Sequence, residues 1–99
     1  METRFTWDPA KAKRNRREHG ISFEMAREAF ADPHHIVTEN YHFPDEAEPR
    51  YLAIGMTRNL VLVVVVFVDR SEPEAEIIQI ISARKALAYE ESIYQDQIR

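Results

Sequence analysis

Residues 60–68 form an unbroken apolar run, and no other feature restricts the fold of this chain so much. The run falls well short of the ~20 residues that a membrane-spanning helix requires, so it reads as a buried strand. It is apolar on both faces, which places it in the middle of a sheet, shielded on each side from edge-to-edge pairing. Residues 50–56 alternate next to it, with Leu52, Ile54 and Met56 on one face and Tyr51, Ala53 and Gly55 on the other. Thr57-Arg58-Asn59 supplies a hairpin connection, 69–74 a turn, and 75–83 a third strand paired with the apolar run. A fourth strand fits residues 36–39. Between it and residue 50 the chain is polar and acidic and carries two prolines, Pro44 and Pro49, the mark of an exposed loop.

The N-terminal third reads as helical after a short strand over 4–7. Asp8 is an N-cap followed by Pro9 at the first helical position, where its missing N–H costs nothing, and Gly20 ends the helix. Ser22 caps a second helix whose Phe23, Ala26, Ala29 and Phe30 share one face, and Asp32-Pro33 closes it. Ser82 is placed to cap a last helix reaching about Gln97. The expected fold is α+β: a small antiparallel sheet with two N-terminal helices and one C-terminal helix.

A chain of 99 residues fits one domain, 1–99, and its 44% apolar and 30% charged residues suit a soluble globule. Burying one sheet face under helices offsets the chain entropy of so small a domain only narrowly, which leaves room for a stabilising partner. There is no cysteine, residues 1–8 lack the apolar core of a signal peptide, and the expected location is cytoplasmic. The net charge of −4 works against nucleic-acid binding but is unevenly spread. Residues 1–30 carry seven basic and five acidic groups, 31–49 none and five, and 50–99 six and seven. Lys11, Lys13, Arg14, Arg16 and Arg17 form a basic cluster that fits either a nucleic-acid patch or a solvated helix face.

Two segments are less generic: residues 7–26, WDPAKAKRNRREHGISFEMA, and residues 78–86, IQIISARKA. With Arg50 to Gly55, the apolar run ending at Arg70, and Glu90 and Tyr94 downstream, they resemble the BrnT toxin family in order and spacing. The resemblance implies a RelE-like fold, RNA cleavage that needs neither metal nor other cofactor, and neutralisation by a ribbon-helix-helix antitoxin, BrnA. It further implies a hetero-oligomer that contacts operator DNA through the antitoxin, and no membrane association.

Cleavage of that kind needs a base for the 2′-hydroxyl proton, cations for the phosphorane and an acid for the leaving oxygen. Against the family pattern the candidate catalytic residues are His19, Arg70, Arg84, Lys85, Glu90 and Tyr94, with Lys11, Arg14, Arg17 and Arg50 binding RNA. Each has a plainer role. Arg70 and Arg84 clamp phosphate or pair with Glu90 or Glu91, and an antiparallel pairing puts them at opposite ends of their strands unless the turn between them bends back. His19 is a general acid favoured as the cation at a helix C-terminus, or a capping residue. Tyr94 serves equally as a core residue of the last helix, and Glu90 orients an arginine or faces water. Asp32, His34, His35 and His42 lack the i, i+4 spacing of metal ligands on a helix. Two glycines leave no P-loop or Rossmann pattern, and no helix clusters base-reading residues for direct DNA binding.

Gln79 departs from the family, which usually has a basic residue there, and weakens the expected phosphate contacts. The alternative to a ribonuclease toxin is therefore a catalytically attenuated domain that acts as a protein-binding partner and operon co-repressor. The acidic residues at 45–48 are either a solvated loop or a surface facing a basic antitoxin helix.

Overall fold

The computed structural model describes residues 2–39 and 48–99; most of the acidic loop expected over 40–49, with His42 and Asp45, lies outside them. Asp8 and Pro9 open the first helix as their types dictate. The Asp8 carboxylate accepts from Ala10 N–H at 2.9 Å, and α1 (Pro9–His19) ends at Gly20, whose φ of 72° spares it the penalty a Cβ would meet. The Ser22 hydroxyl accepts from Met25 N–H at 3.0 Å to start α2 (Phe23–Ala26). The second helix expected from this cap is only one α turn, continued as a 3₁₀ turn over Arg27–Ala31. Packing supplies a reason. The backbone of Ala29 lies so close to Gly55 that a Cβ there would sit 2.5 Å from the Ala29 carbonyl oxygen.

Among the described residues, β1 (Glu2–Thr6), β2 (Ile36–Glu39), β3 (Tyr51–Met56), β4 (Leu62–Asp69) and β5 (Ala75–Lys85) form one sheet in the order β1-β5-β4-β3-β2. The apolar run thus occupies the centre, as its two apolar faces demand. Its first two residues go to the turn instead, where Leu60 takes a φ of 62° and stands 81% exposed. β2, β3, β4 and β5 pair antiparallel, but β1 lies parallel to β5, with Phe5 beside Ile78. The sheet is therefore mixed, not antiparallel throughout as expected. Pairing also overrides the cap expected at Ser82. β5 keeps its ladder with β4 as far as Lys85, opposite Val63, and α3 (Ala88–Gln97) starts only after Leu87.

The two sheet faces are covered unequally. On one, Phe23, Ala26 and Ala29 pack with Ile21, Ala53, Val63, Val65, Phe67, Ile78 and Ile80 into the main core. On the other, Ile54 and Val64 meet Tyr94 of α3, with Leu52, Met56 and Leu62 around them.

Asn15 is a buried polar link between α1 and the sheet. Its Nδ2 donates to the carbonyls of Ile21 (2.9 Å) and Ala83 (2.8 Å), and its Oδ1 accepts from Ala83 N–H at 3.1 Å. Ala83 sits beside a register shift between Val66 and Phe67, where the regular ladder is interrupted. Asn15→Ala removes all of these bonds and strands buried backbone groups, so it is expected to lower stability by about 2–4 kcal/mol in urea unfolding.

Candidate functional site

Strand alternation sorts the charged side chains of the sheet. Val63, Val65 and Phe67 face α1 and α2, so Val64, Val66, Val68 and, just past the strand, Arg70 face the other way. On β5, Gln79 lies opposite Val68 and Arg84 opposite Val64. β1 brings Arg4 beside Ile77 on the same side, since its neighbour Phe5 enters the main core. Arg50, directly before β3, falls on the side of Leu52 by the same alternation. The face that carries α3 thus holds Arg4, Arg50 and Arg70 toward the Gln79 end and Arg84 toward the other end of the strands.

Arg84 is anchored to α3. Its Nη1 and Nη2 donate to the two oxygens of Glu90 at 2.7 and 2.9 Å, and Nη1 also reaches the Lys85 carbonyl at 3.2 Å. Glu90 is 3% exposed and accepts a further bond from Leu87 N–H at the start of the helix. Bonding to Arg84 holds the Glu90 carboxyl below its usual range against the opposing effect of burial, and the same pairing raises the arginine further. At the far end of the face, Arg70 Nε donates to Gln79 Oε1 at 2.9 Å while both its Nη groups meet the Glu48 carboxylate. Six steps of β4 separate Val64, opposite Arg84, from Arg70, roughly 20 Å at ~3.4 Å per residue. The two guanidiniums are held at separate places on the face, one by Gln79 and Glu48 and the other by Glu90, which suits contacts to separate points of an extended anion.

Residues 7–90 match the family model for "Ribonuclease toxin, BrnT, of type II toxin-antitoxin system". The chain belongs to the BrnT toxin family. It is similar to the crystal structure of the Brucella abortus ribonuclease toxin BrnT, with 25% identity and a TM-score of 0.58, over 88% of this chain and 99% of that one. No curated protein sequence matches.

The candidate residues of this BrnT-family chain divide between two layers. Arg70, Arg84, Glu90 and, by alternation, Arg50 belong to the arginine face, to which the parallel strand adds Arg4. His19 ends α1 on the helical side and is exposed. Lys85 lies opposite Val63 and so turns toward that side too, away from its neighbour Arg84. Lys11, Arg14 and Arg17 ride on α1, the latter two exposed, and do not join the arginines of the sheet.

Tyr94 and Asp32 form a clamp. The Tyr94 hydroxyl donates to Asp32 Oδ2 at 2.5 Å, and the same oxygen accepts from Met56 N–H at 2.8 Å, while Oδ1 accepts from His34 N–H at 2.9 Å. Tyr94 is 4% exposed. Asp32, which the sequence offers as a helix stop, ties α3 to the end of β3 and the segment after the 3₁₀ turn. Among the described residues no three His, Cys, Asp or Glu side chains converge as a metal site would require. Arg4 and the bond from Arg70 to Gln79 go beyond the residues that the sequence singles out. The alternation of Arg4 with Phe5 carries a signal for the first, whereas the second depends on a pairing register.

The Glu90 pair predicts an asymmetry. Arg84→Ala leaves a buried carboxylate unpaired and is expected to cost about 3 kcal/mol in urea unfolding, whereas the double variant Arg84→Ala/Glu90→Ala recovers part of that loss.

The clamp predicts a pH effect. Burial and the Asp32 carboxylate push the Tyr94 hydroxyl up to about 12, above its ordinary value of about 10. A group raised on folding contributes stability below its unfolded value and loses it as pH rises through the folded one, so the loss falls between about pH 10 and 12. Burial opposes ionisation of Asp32, but the Tyr94 hydroxyl and the amides of His34 and Met56 hold its carboxyl below the usual range. Tyr94→Phe should cost about 1 kcal/mol at neutral pH and lose less than the unmodified chain between pH 9 and pH 11, as followed by urea unfolding at each pH.

Proposed function

We propose that this chain is a metal-independent endoribonuclease toxin that receives the RNA backbone on its arginine face and acts in the cytoplasm, where translation is its target. The observation that carries this reading is the collection of Arg4, Arg50, Arg70 and Arg84 on the sheet face that α3 covers only in part. Guanidiniums suit the reaction because they remain cationic and offer paired N–H donors to phosphate oxygens. As the 2′-oxygen gives its proton to water and bonds to phosphorus, the bond to the 5′-oxygen breaks and that oxygen takes a proton from water, while Arg70 stabilises the charge on the phosphorane. Gln79 holds Arg70 by its Nε, leaving the outer Nη hydrogens to face substrate once Glu48 gives way. Arg84 retains its Nε–H for a second phosphate, since its pairing with Glu90 runs through the Nη groups. His19, Lys85, Lys11, Arg14 and Arg17, on the other layer, take no part in this step. Tyr94, tied to Asp32, acts as a structural group. A BrnA-like ribbon-helix-helix antitoxin neutralises the toxin in a hetero-oligomer and carries the contacts to operator DNA.

A second reading has its own support. Among the described residues, Arg4 pairs with Glu2, Arg70 with Glu48 and Arg84 with Glu90, so part of the positive charge of this face is already compensated. A domain that has lost cleavage and serves as antitoxin-binding co-repressor fits these pairs and the net charge of −4.

RNA cleavage by the purified chain in EDTA separates the two. The toxin reading expects cleavage that falls about 100-fold in Arg70→Ala, equivalent to roughly 2.7 kcal/mol of transition-state stabilisation, without a change in the urea midpoint. No cleavage by a folded chain that binds its antitoxin establishes the second reading instead.

A further inference from the structure

The sheet face opposite the arginines holds a cavity of about 550 Å³ beyond the reach of α1. Its floor is aromatic. Phe30 meets Phe5 at 5.4 Å and Phe67 edge-on at 5.2 Å between ring centroids, and Tyr51 stacks on Phe67 at 5.5 Å. Val37, 48% exposed, forms part of its wall, an apolar side chain left facing solvent on the outermost strand β2.

The rim has the opposite charge to the far side of the sheet. Asp69 and Glu76 line the cavity against one guanidinium, that of Arg27. The strand alternation that sends Arg70 to one face sends Asp69 to the other, so the two faces attract ligands of opposite sign at adjacent residues. Bonds from the side chain and amide of Ser71 keep Asp69 ionised to lower pH than an ordinary aspartate. A phosphate-bearing ligand is disfavoured here, and an apolar group with a cation beside it is favoured. His35, also at the cavity, has its Nδ1 engaged with the Asp32 carbonyl at 2.7 Å.

We propose that this cavity docks the antitoxin, which inserts an apolar or aromatic side chain over the rings and sets a neighbouring lysine or arginine against Asp69 and Glu76. The inference rests on the reading of the chain as the toxin of an antitoxin-paired system, and adds where that partner binds. Charge complementarity selects the occupant. A basic protein segment satisfies both the aromatic floor and the carboxylate rim, whereas RNA satisfies only the first. Binding on this face leaves the arginine face uncovered by that contact, so the anchoring and the inhibitory parts of the antitoxin occupy different surfaces.

The test is calorimetric titration of the whole chain with the purified protein encoded by the adjoining reading frame. Asp69→Lys/Glu76→Lys and, separately, Val37→Arg are compared with the unmodified chain, with circular dichroism and urea unfolding as checks on folding. Each is expected to weaken binding about tenfold or more while RNA cleavage is retained. Unchanged affinity in both folded variants overturns the cavity as the docking site. Failure of the unmodified chain to bind the adjoining protein removes the pairing itself and the proposal with it. Loss of RNA cleavage with antitoxin binding intact overturns the proposal in favour of a nucleobase site. A change confined to self-association, seen by sedimentation, overturns it in favour of a second copy of this chain.

Discussion

A strand that is apolar on both faces must be covered on both, and that requirement at β4 organises the whole molecule. One cover is extensive: α1, α2 and the 3₁₀ turn close over Val63, Val65 and Phe67. The other is economical, because a helix of ten residues, α3, meets Ile54 and Val64 mainly through Tyr94. Short helical cover on that second face leaves room for arginines at the strand ends, where their long side chains keep aliphatic stems on the sheet and charged heads in water. The economy of the fold and the availability of its candidate site thus have a common origin.

Polar side chains then fix layers that apolar packing alone would leave free to slide. Asn15 joins α1 to β5 through the two backbone groups of Ala83, and Asp32 joins α3 to β3 through Tyr94 and Met56. Glu90 does the same for the start of α3. Hydrogen bonds of this kind are directional, so they specify registers that a hydrophobic contact tolerates in several versions. Arg84 belongs to this framework as well as to the arginine face, which couples the layout of that face to folding.

Local chemistry was legible where the residue itself determines the outcome. Asp8-Pro9 and Gly20 bound α1, the alternation over 51–56 assigns the two faces of β3, and the BrnT resemblance over the N-terminal helix and the end of β5 agrees with the family match. The misses arise where a non-local pairing outweighs a local preference. Ser82 is a competent cap, yet its place opposite Val66 in the ladder keeps it in a strand, and ladder bonds exceed what one cap contributes. The helix expected after Ser22 tightens into a 3₁₀ turn where Ala29 meets Gly55. The division of the candidate residues was hidden for a related reason. Arg84 and Lys85 are neighbours in sequence but opposite in space, a consequence of period two, whereas placing His19 behind the sheet requires the packing of α1 on β5, which no single segment encodes.

The parallel seam between β1 and β5 has a consequence for how the molecule is made. Thr3 pairs with Glu76, 73 residues away, so the first strand emerges from the ribosome long before its partner exists. Until β5 follows, β1 has no native neighbour, and closing so long a loop is an intrinsically slow step compared with forming the hairpin of β3 and β4. Arg4 takes its place beside Ile77 only at that closure, and Arg84 is fixed only when Glu90 arrives after it. The complete cationic face is therefore a late product of synthesis.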